Sequence, residues 1–271
     1  NFPHALQWSS ERLRGDGALI VSSFPQEREN AVQAKREGRF FRARCLLAYA
    51  APSLLADRAF ILEATRFDDR SVGFSAPDLL ADADFCRQAV AVNAEAYCAL
   101  PEATRADRTL LLAAVAKFPF AFSKAPMELR DDPEIAKAAV SRMGHLLAKA
   151  GPRAKADPDV VLAALRLSDP HGSLFGNVTL GAPLLQAAPE LNQDRAFLLR
   201  AVAINRGVVA HLQEPFASDR SFLAEAAAID PLALDHLPEA TRAALLDSDL
   251  ALRGRYDNLK KQLAQLNIQH A

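Results

Sequence analysis

An aspartate recurs about every 25 residues along most of this chain, and apolar residues follow it at fixed distances. A large apolar residue stands three positions after each aspartate, and an alanine stands seven positions after it. This spacing places side chains on one face of an α-helix. The pattern therefore predicts a helix of roughly ten residues after each aspartate, with the aspartate as its N-cap. The aspartates are Asp57, Asp82, Asp107, Asp132, Asp157, Asp194 and Asp219, and the alanines are Ala64, Ala89, Ala114, Ala139, Ala164, Ala201 and Ala226.

A second, shorter apolar segment follows each predicted helix and ends near a proline. Two architectures fit this arrangement: a solenoid of paired short helices, or one in which an α-helix alternates with 3₁₀ turns. We expect the first, an all-α, right-handed α-solenoid of two-helix repeats of about 25 residues each. The recurrent alanine is expected where neighbouring helices approach closely, because a larger side chain would overpack that contact.

The repeats predict one helical array over residues 1–244. Residues 2–6 align with residues 118–122, so the chain is expected to begin inside a repeat. Two insertions, near residues 25–45 and 168–181, lengthen the spacing between aspartates. Insertions in repeat arrays map to surface loops, often on the binding face.

The C-terminal segment, residues 245–271, departs from the repeat pattern. We interpret it as a capping helix, with docking onto a partner helix as the alternative. Its apolar side chains form a heptad-like stripe, which consists of Tyr256, Leu259, Leu263 and Leu266.

The recurrent pattern Asp-Arg-x-Phe-(Leu/Ile)-Leu-x-Ala-(Val/Thr), followed by Ala-x-x-x-x-Pro, resembles a family of short tandem helical repeats. That family occurs in bacterial and protist proteins and is known only as a domain of unknown function. The resemblance covers Leu55 to Thr241 well and Phe2 to Asp16 in part. It implies a helical repeat fold, and it implies no catalytic residue, cofactor or partner. Particular function is expected where the chain departs from the pattern, in the insertions and the C-terminal segment.

Composition narrows the functional classes. The formal net charge is −1. The protein as a whole therefore has no positive electrostatic field that would attract nucleic acid or an anionic membrane. The three cysteines lack metal-ligand spacing, which favours reduced thiols and an intracellular, reducing compartment. No apolar run approaches the roughly 20 residues of a membrane span. The chain begins at Asn1 rather than at a methionine, which is compatible with a processed organellar subunit or a secreted bacterial effector.

The first insertion is rich in cations and contains neighbouring phenylalanines. Clustered cations beside stacking rings are typical of a site for phosphate, an acidic protein groove or RNA. The alternative is a solvated amphipathic helix whose phenylalanines pack on the array. The candidate partner-binding residues of this insertion are Arg36, Arg39, Phe40, Phe41 and Arg42.

Two further groups of candidate partner-binding residues come from the rest of the chain. The second insertion contains three glycines but no P-loop lysine, and we interpret it as a loop with partner contacts at His171 and Phe175. His211 and His236 occupy equivalent positions in consecutive repeats, where two imidazoles could meet a metal or an anion. Exposed or hydrogen-bonded histidines are the alternative. The last candidate partner-binding residue is Tyr256, in the C-terminal segment.

Basic residues also recur late in the repeats, shortly before the next aspartate. They predict a ladder of contacts with that aspartate, in which each exposed pair contributes on the order of 0–1 kcal/mol. These residues are Arg14, Arg105, Arg130, Lys155 and Arg242.

The sequence assigns no catalytic residue, cofactor or metal, since it contains no nucleophile elbow, no HExxH and no CxxC. We expect a non-enzymatic scaffold for protein–protein interactions, or a peripheral subunit of a larger assembly. Its concave surface would use side chains of the second segments, and its partners would be proteins rather than nucleic acids or small-molecule substrates. The alternative is a nucleic-acid- or phosphate-binding module acting through residues 28–44. An enzyme with a site around residues 168–181 has the least support.

Overall fold

The computed structural model of the chain describes residues 10–25, 46–167 and 182–269. All regular elements in these ranges are helical, which confirms the all-α class. The chain divides into two compact units, Asn1–Leu129 and Arg130–Ala271, here called the N-terminal and C-terminal units.

Long α-helices follow the recurrent aspartates, as predicted. Each aspartate accepts hydrogen bonds from the backbone N–H groups two and three residues later, as Asp107 does from Thr109 at 2.8 Å and Leu110 at 3.2 Å. These bonds occupy N–H groups that have no partner within the helix. The long helices are Arg58–Phe67, Ala83–Val92 and Arg108–Lys117 in the N-terminal unit, and Pro133–Val140, Pro158–Arg166, Arg195–Ile204 and Arg220–Ile229 in the C-terminal unit.

One face of every long helix is buried, and the recurrent alanine lies at its centre. In the helix Ala83–Val92 the buried residues are Phe85, Cys86, Ala89 and Val90. The alanines seven positions after the caps are at most 2 % exposed. Within each unit, successive long helices pack side by side across this face. The burial confirms the helical face that the apolar spacing predicts.

The second segment of each repeat is a 3₁₀-helix. The expectation of paired α-helices is therefore wrong in this detail. An extended residue separates it from the long helix, and the side chain of that residue often caps it, as Asn93 does by accepting from the N–H of Glu95 at 3.1 Å. A proline near the other end prevents its extension. The 3₁₀-helices are Leu46–Tyr49, Asp69–Phe74, Ala94–Ala99 and Pro119–Lys124 in the N-terminal unit, and Gly144–Lys149, Ala182–Gln186, Leu191–Gln193, Arg206–His211 and Pro231–His236 in the C-terminal unit.

A third segment, a short α-helix, precedes many of the caps and was not predicted. Proline lies at its first turn in several cases, where the missing N–H costs nothing. These helices are Glu11–Arg14, Pro52–Leu55, Pro77–Ala81, Glu102–Arg105, Met127–Arg130 and Pro152–Ala156. Residues 17–25 are also helical.

Asn93 joins two neighbouring segments of the N-terminal unit through one side chain. Its oxygen caps the following 3₁₀-helix. Its Nδ2 donates to the carbonyl of Thr65, in the long helix of the previous repeat, at 3.1 Å. Asn205 makes the same pair of contacts in the C-terminal unit, with the N–H of Gly207 and the carbonyl of Leu165, both at 3.0 Å. An asparagine suits this position because its amide both donates and accepts.

The predicted ladder of late basic residues takes a different form. The guanidinium of Arg105 donates to the backbone carbonyl of Lys124, so its predicted contact with the next aspartate is wrong. Carbonyls at the end of a helix lack partners within it, which makes them ready acceptors for a nearby cation. The aspartate is instead reached by the arginine at the first helical position, since Arg58 pairs with Asp82 at 2.8 Å and with Asp84 at 2.6 Å.

The chain ends in two helices, Glu239–Ser248 and Leu250–Gln269. The predicted C-terminal segment 245–271 therefore begins inside the first of them. Asp249 accepts from the N–H groups of Ala251 and Leu252, both at 2.9 Å. The second helix thus starts as the long helices do. This cap was not predicted, because Asp249 comes 30 residues after Asp219.

None of the helices in the described parts of the chain combines the length and apolar character needed to cross a lipid bilayer.

The recurrent alanine can be tested by enlarging it. Ala114 is fully buried, whereas Ala113 on the same helix is exposed. We expect Ala114→Leu to lower the free energy of unfolding by about 1–3 kcal/mol, because the seam between long helices has no room for a larger side chain. Ala113→Leu should change it by less than about 0.5 kcal/mol. Urea unfolding measures both, and equal effects would contradict close packing at Ala114.

The double role of Asn93 predicts a pH-dependent variant. Asn93→Asp removes the donor to the Thr65 carbonyl and sets a carboxylate against it, so we expect a loss of about 1–3 kcal/mol at neutral pH. The folded-state pKa of the new carboxyl would be raised, so the loss should shrink as pH falls towards about 4 and the group regains a proton. Unfolding at pH 7 and pH 4 measures this. The exposed Asn258→Asp is the control, and a loss that stays constant with pH would argue against the donor role.

Candidate partner-binding site

Most of the sequence-predicted partner-binding residues lie outside the described residues. The proposals for the two insertions therefore stay predictions. These residues are Arg36, Arg39, Phe40, Phe41, Arg42, His171 and Phe175.

The structure brings His211 and His236 close together in the C-terminal unit. Each ends a 3₁₀-helix, and these two helices, Arg206–His211 and Pro231–His236, pack against each other. Burial lowers the pKa of His236, and the neighbouring Arg206 and His211 lower it further. The neutral imidazole is therefore favoured at His236. Within the described parts of the chain, no group of three or more His, Cys, Asp or Glu side chains could hold a metal ion.

Tyr256 is held by contacts within the chain. Its hydroxyl donates to Asp235 at 2.6 Å, and Lys260 donates to the same carboxylate at 3.1 Å. Burial and the adjacent carboxylate raise the pKa of Tyr256 to about 12. Although burial alone would raise the pKa of Asp235, the hydrogen bonds from Tyr256 and Lys260 hold it below its ordinary value. These contacts attach the C-terminal helix to the last 3₁₀-helix, and a partner contact by Tyr256 stays a prediction.

The C-terminal unit also contains a groove that the sequence analysis did not predict. Its volume is about 580 Å³, and it lies between the helices Pro133–Val140, Pro158–Arg166 and Arg195–Ile204. Three cations line it together with one carboxylate and several aliphatic side chains. The lining residues are Lys137, Ser141, Asp159, Leu162, Ala163, Arg166, Leu167, Arg200, Ala203 and Ile204.

Asp159 lies between two of the groove's cations. It accepts from Lys137 at 3.1 Å and from Arg200 at 3.5 Å. The hydrogen bond from Lys137 and the two positive charges hold the pKa of Asp159 below its ordinary value. The carboxylate therefore stays ionised near neutral pH and orders the cations around it. These three residues come from three helices, so no single stretch of sequence indicates the groove.

A second surface feature recurs at the ends of the long helices. A large apolar side chain stands ten positions after five of the seven caps, and four of these side chains are exposed, although similar residues elsewhere on the same helices are buried. We call them the helix-end residues. They are Phe67 and Val92 in the N-terminal unit, exposed by 39 % and 38 %, and Leu167 and Ile229 in the C-terminal unit, exposed by 47 % and 45 %. Ile204 stands at the same position and is half-buried.

Comparison with known proteins finds one stretch of this all-helical chain that matches a family model. Residues 107–153 match the family described as "Domain of unknown function (DUF4116)". The match confirms, for these residues, the resemblance to a domain of unknown function. No curated protein and no solved structure matches the chain.

The Tyr256–Asp235 contact predicts a variant whose effect depends on pH. Tyr256→Phe removes a hydrogen bond to a carboxylate whose side chain is 30 % exposed, so we expect a loss of about 1 kcal/mol at pH 7. The pKa of Asp235 is depressed, so this contribution is present above the ordinary carboxyl pKa of 3.8 and is lost as pH falls below it. Thermal or urea unfolding at pH 7 and pH 3 measures the difference between wild type and variant.

Tyr97→Phe is the matched control for that experiment. The Tyr97 hydroxyl donates to the backbone carbonyl of Arg105 at 2.6 Å, and this acceptor does not titrate. The loss in Tyr97→Phe should therefore be similar at both pH values. A loss in Tyr256→Phe that does not narrow at pH 3 would show that Asp235 is not its energetic partner.

Proposed function

We propose that the chain is a non-enzymatic scaffold for protein–protein interactions, or a peripheral subunit of a larger assembly, and that the helix-end residues contact its partner. The observation that carries the proposal is the recurrence of an exposed or half-buried apolar side chain at the same position of successive helices. Single exposed apolar residues are common on protein surfaces. A recurrent position is different, because helices that pack side by side turn it into a row.

The row is longest in the C-terminal unit. Three successive long helices of this unit pack against one another, and a helix-end position lies at the end of each. The residues at these positions are Leu167, Ile204 and Ile229. An apolar row bordered by charged residues is typical of a protein-binding surface rather than of a surface that faces water alone.

The packing within each unit supports the finer architecture. Successive long helices contact one another, and successive 3₁₀-helices contact one another. Nearest-neighbour packing of this kind is typical of solenoids. On this basis we extend the proposal to the right-handed α-solenoid that the sequence predicts.

The exposed ends of the long helices support a contact surface better than the second segments do. The 3₁₀-helix Ala94–Ala99 buries Ala94, Ala96 and Tyr97, and the 3₁₀-helix Pro231–His236 buries its first four residues. Side chains that are committed to the core are not available to a partner. Binding of nucleic acid through residues 28–44 and catalysis around residues 168–181 stay predictions, since both stretches lie largely or wholly outside the described residues.

The proposal predicts loss of a salt-resistant partner when the helix-end residues become polar. The double variant Leu167→Lys/Ile229→Lys adds two cations at helix C-termini, where they suit the helix dipole, so stability should change by less than about 1 kcal/mol. Affinity capture from the source organism, washed at rising salt and quantified by mass spectrometry, measures partner retention. We expect a stoichiometric partner with the wild-type chain and at least about tenfold less with the variant, because burial of two large side chains is lost.

Ala113→Lys/Ala116→Lys is the matched control. Both alanines are exposed, the added charge is the same, and their helix ends in Lys117 rather than in an apolar residue. The control should retain the partner. Recovery of the wild-type chain alone would contradict a scaffold role, and equal loss in both variants would indicate an effect of charge rather than of the helix-end residues.

A further inference from the structure

The groove of the C-terminal unit carries more positive charge than its own carboxylate balances. In the part of the groove that the structure describes, three cations line it with one acidic side chain, Asp159, which leaves a formal excess of two positive charges; the cations are Lys137, Arg166 and Arg200. Asp159 forms ion pairs with Lys137 at 3.1 Å and with Arg200 at 3.5 Å. Arg166 has no carboxylate partner among the described residues. Arginine presents a planar set of donors that matches a carboxylate in a bidentate contact.

Apart from one serine, the remaining described lining of the groove is aliphatic. Leu162, Ala163 and Ala203 contribute to it, and Leu167 and Ile204 extend it to the helix-end row. A volume of about 580 Å³ holds several side chains rather than a single ion. No aromatic ring among the described residues lines the groove, whereas single-stranded nucleic acids bind by stacking bases on such rings. An occupant must therefore offer both acidic groups and aliphatic surface.

We propose that this groove binds an acidic, aliphatic peptide segment of a partner protein, with Arg166 and Arg200 contacting its carboxylates and Leu167 and Ile204 contacting its aliphatic side chains. The inference rests on the proposed scaffold function and assigns the partner's contact segment a chemistry. The charge selects acidic segments, and the aliphatic walls exclude those that are only acidic.

The test is an array of 12-residue peptides probed with the purified full chain. The array contains acidic-aliphatic peptides, acidic peptides with serine in place of the aliphatic residues, basic-aliphatic peptides, and phosphoserine peptides without aliphatic residues. Dissociation constants of the best binders are then measured by fluorescence anisotropy at two salt concentrations. The wild-type chain should select the acidic-aliphatic class.

Charge reversal in the groove should weaken that binding. We expect Arg166→Glu/Arg200→Glu to weaken it at least about tenfold at low salt, and less at high salt. Arg66→Glu/Arg87→Glu is the matched control, since it changes the net charge equally at exposed arginines of two long helices in the N-terminal unit. Arg66 even occupies the same helical position as Arg166, nine residues after the cap. The control should bind as the wild type does.

Three results would overturn the proposal. Equal weakening in both double variants would indicate a general charge effect, and selection of the phosphoserine or serine-containing classes would contradict the aliphatic component. Failure of the wild type to bind any peptide class would exclude a linear acidic segment. None of these outcomes contradicts the scaffold proposal itself. That proposal is judged separately, by whether Leu167→Lys/Ile229→Lys loses a salt-resistant partner in affinity capture. If the charge-reversed chain does not fold by circular dichroism, Arg166→Gln/Arg200→Gln replaces it.

Discussion

The aspartate cap is the interaction on which the rest of this structure depends. Each cap sets the first residue of a long helix through two hydrogen bonds to backbone N–H groups. Because every helix starts at the same distance from its cap, every later position has the same orientation from helix to helix. Positions three, four, seven and eight after the cap enter the core, and the alanine at position seven allows the helices to approach. The same register leaves position ten exposed or half-buried at the helix end.

Local signals made part of this fold predictable from sequence. The caps, the buried face and the alanine seam depend on residues within one helix, and all three agree with the structure. The 3₁₀-helices were harder to predict, because a six-residue segment between Asn93 and Leu100 suits either an α-helical or a 3₁₀ turn. The bond from Asn93 to the Thr65 carbonyl joins two consecutive repeats and therefore leaves no mark in the pattern within one repeat.

The C-terminal helix shows how a broken period hides a repeated element. The preceding helix, Glu239–Ser248, has ten residues where the corresponding helices have four or five, so Asp249 falls out of the 25-residue interval. Leu252 and Tyr256 nevertheless stand three and seven positions after it, where a large residue and the alanine stand elsewhere, and both are buried. Tyr256 occupies the alanine position because its ring extends towards the last 3₁₀-helix, where Asp235 accepts its hydroxyl. The helix thus keeps the register of the repeats while replacing their seam with a polar contact.

The candidate site depends on contacts between helices, and for that reason the sequence did not reveal it. Asp159 stands 22 residues after Lys137 and 41 residues before Arg200. Only packing in the C-terminal unit brings these two cations to its carboxylate. Such a cluster adds little to stability, because exposed ion pairs of this kind contribute about 0–1 kcal/mol. Two of the groove's three cations contact this carboxylate, and the third, Arg166, has no carboxylate partner in the described parts of the chain. Since the excess charge adds little to the stability of the fold, it supports the proposed selection of an acidic, aliphatic partner segment.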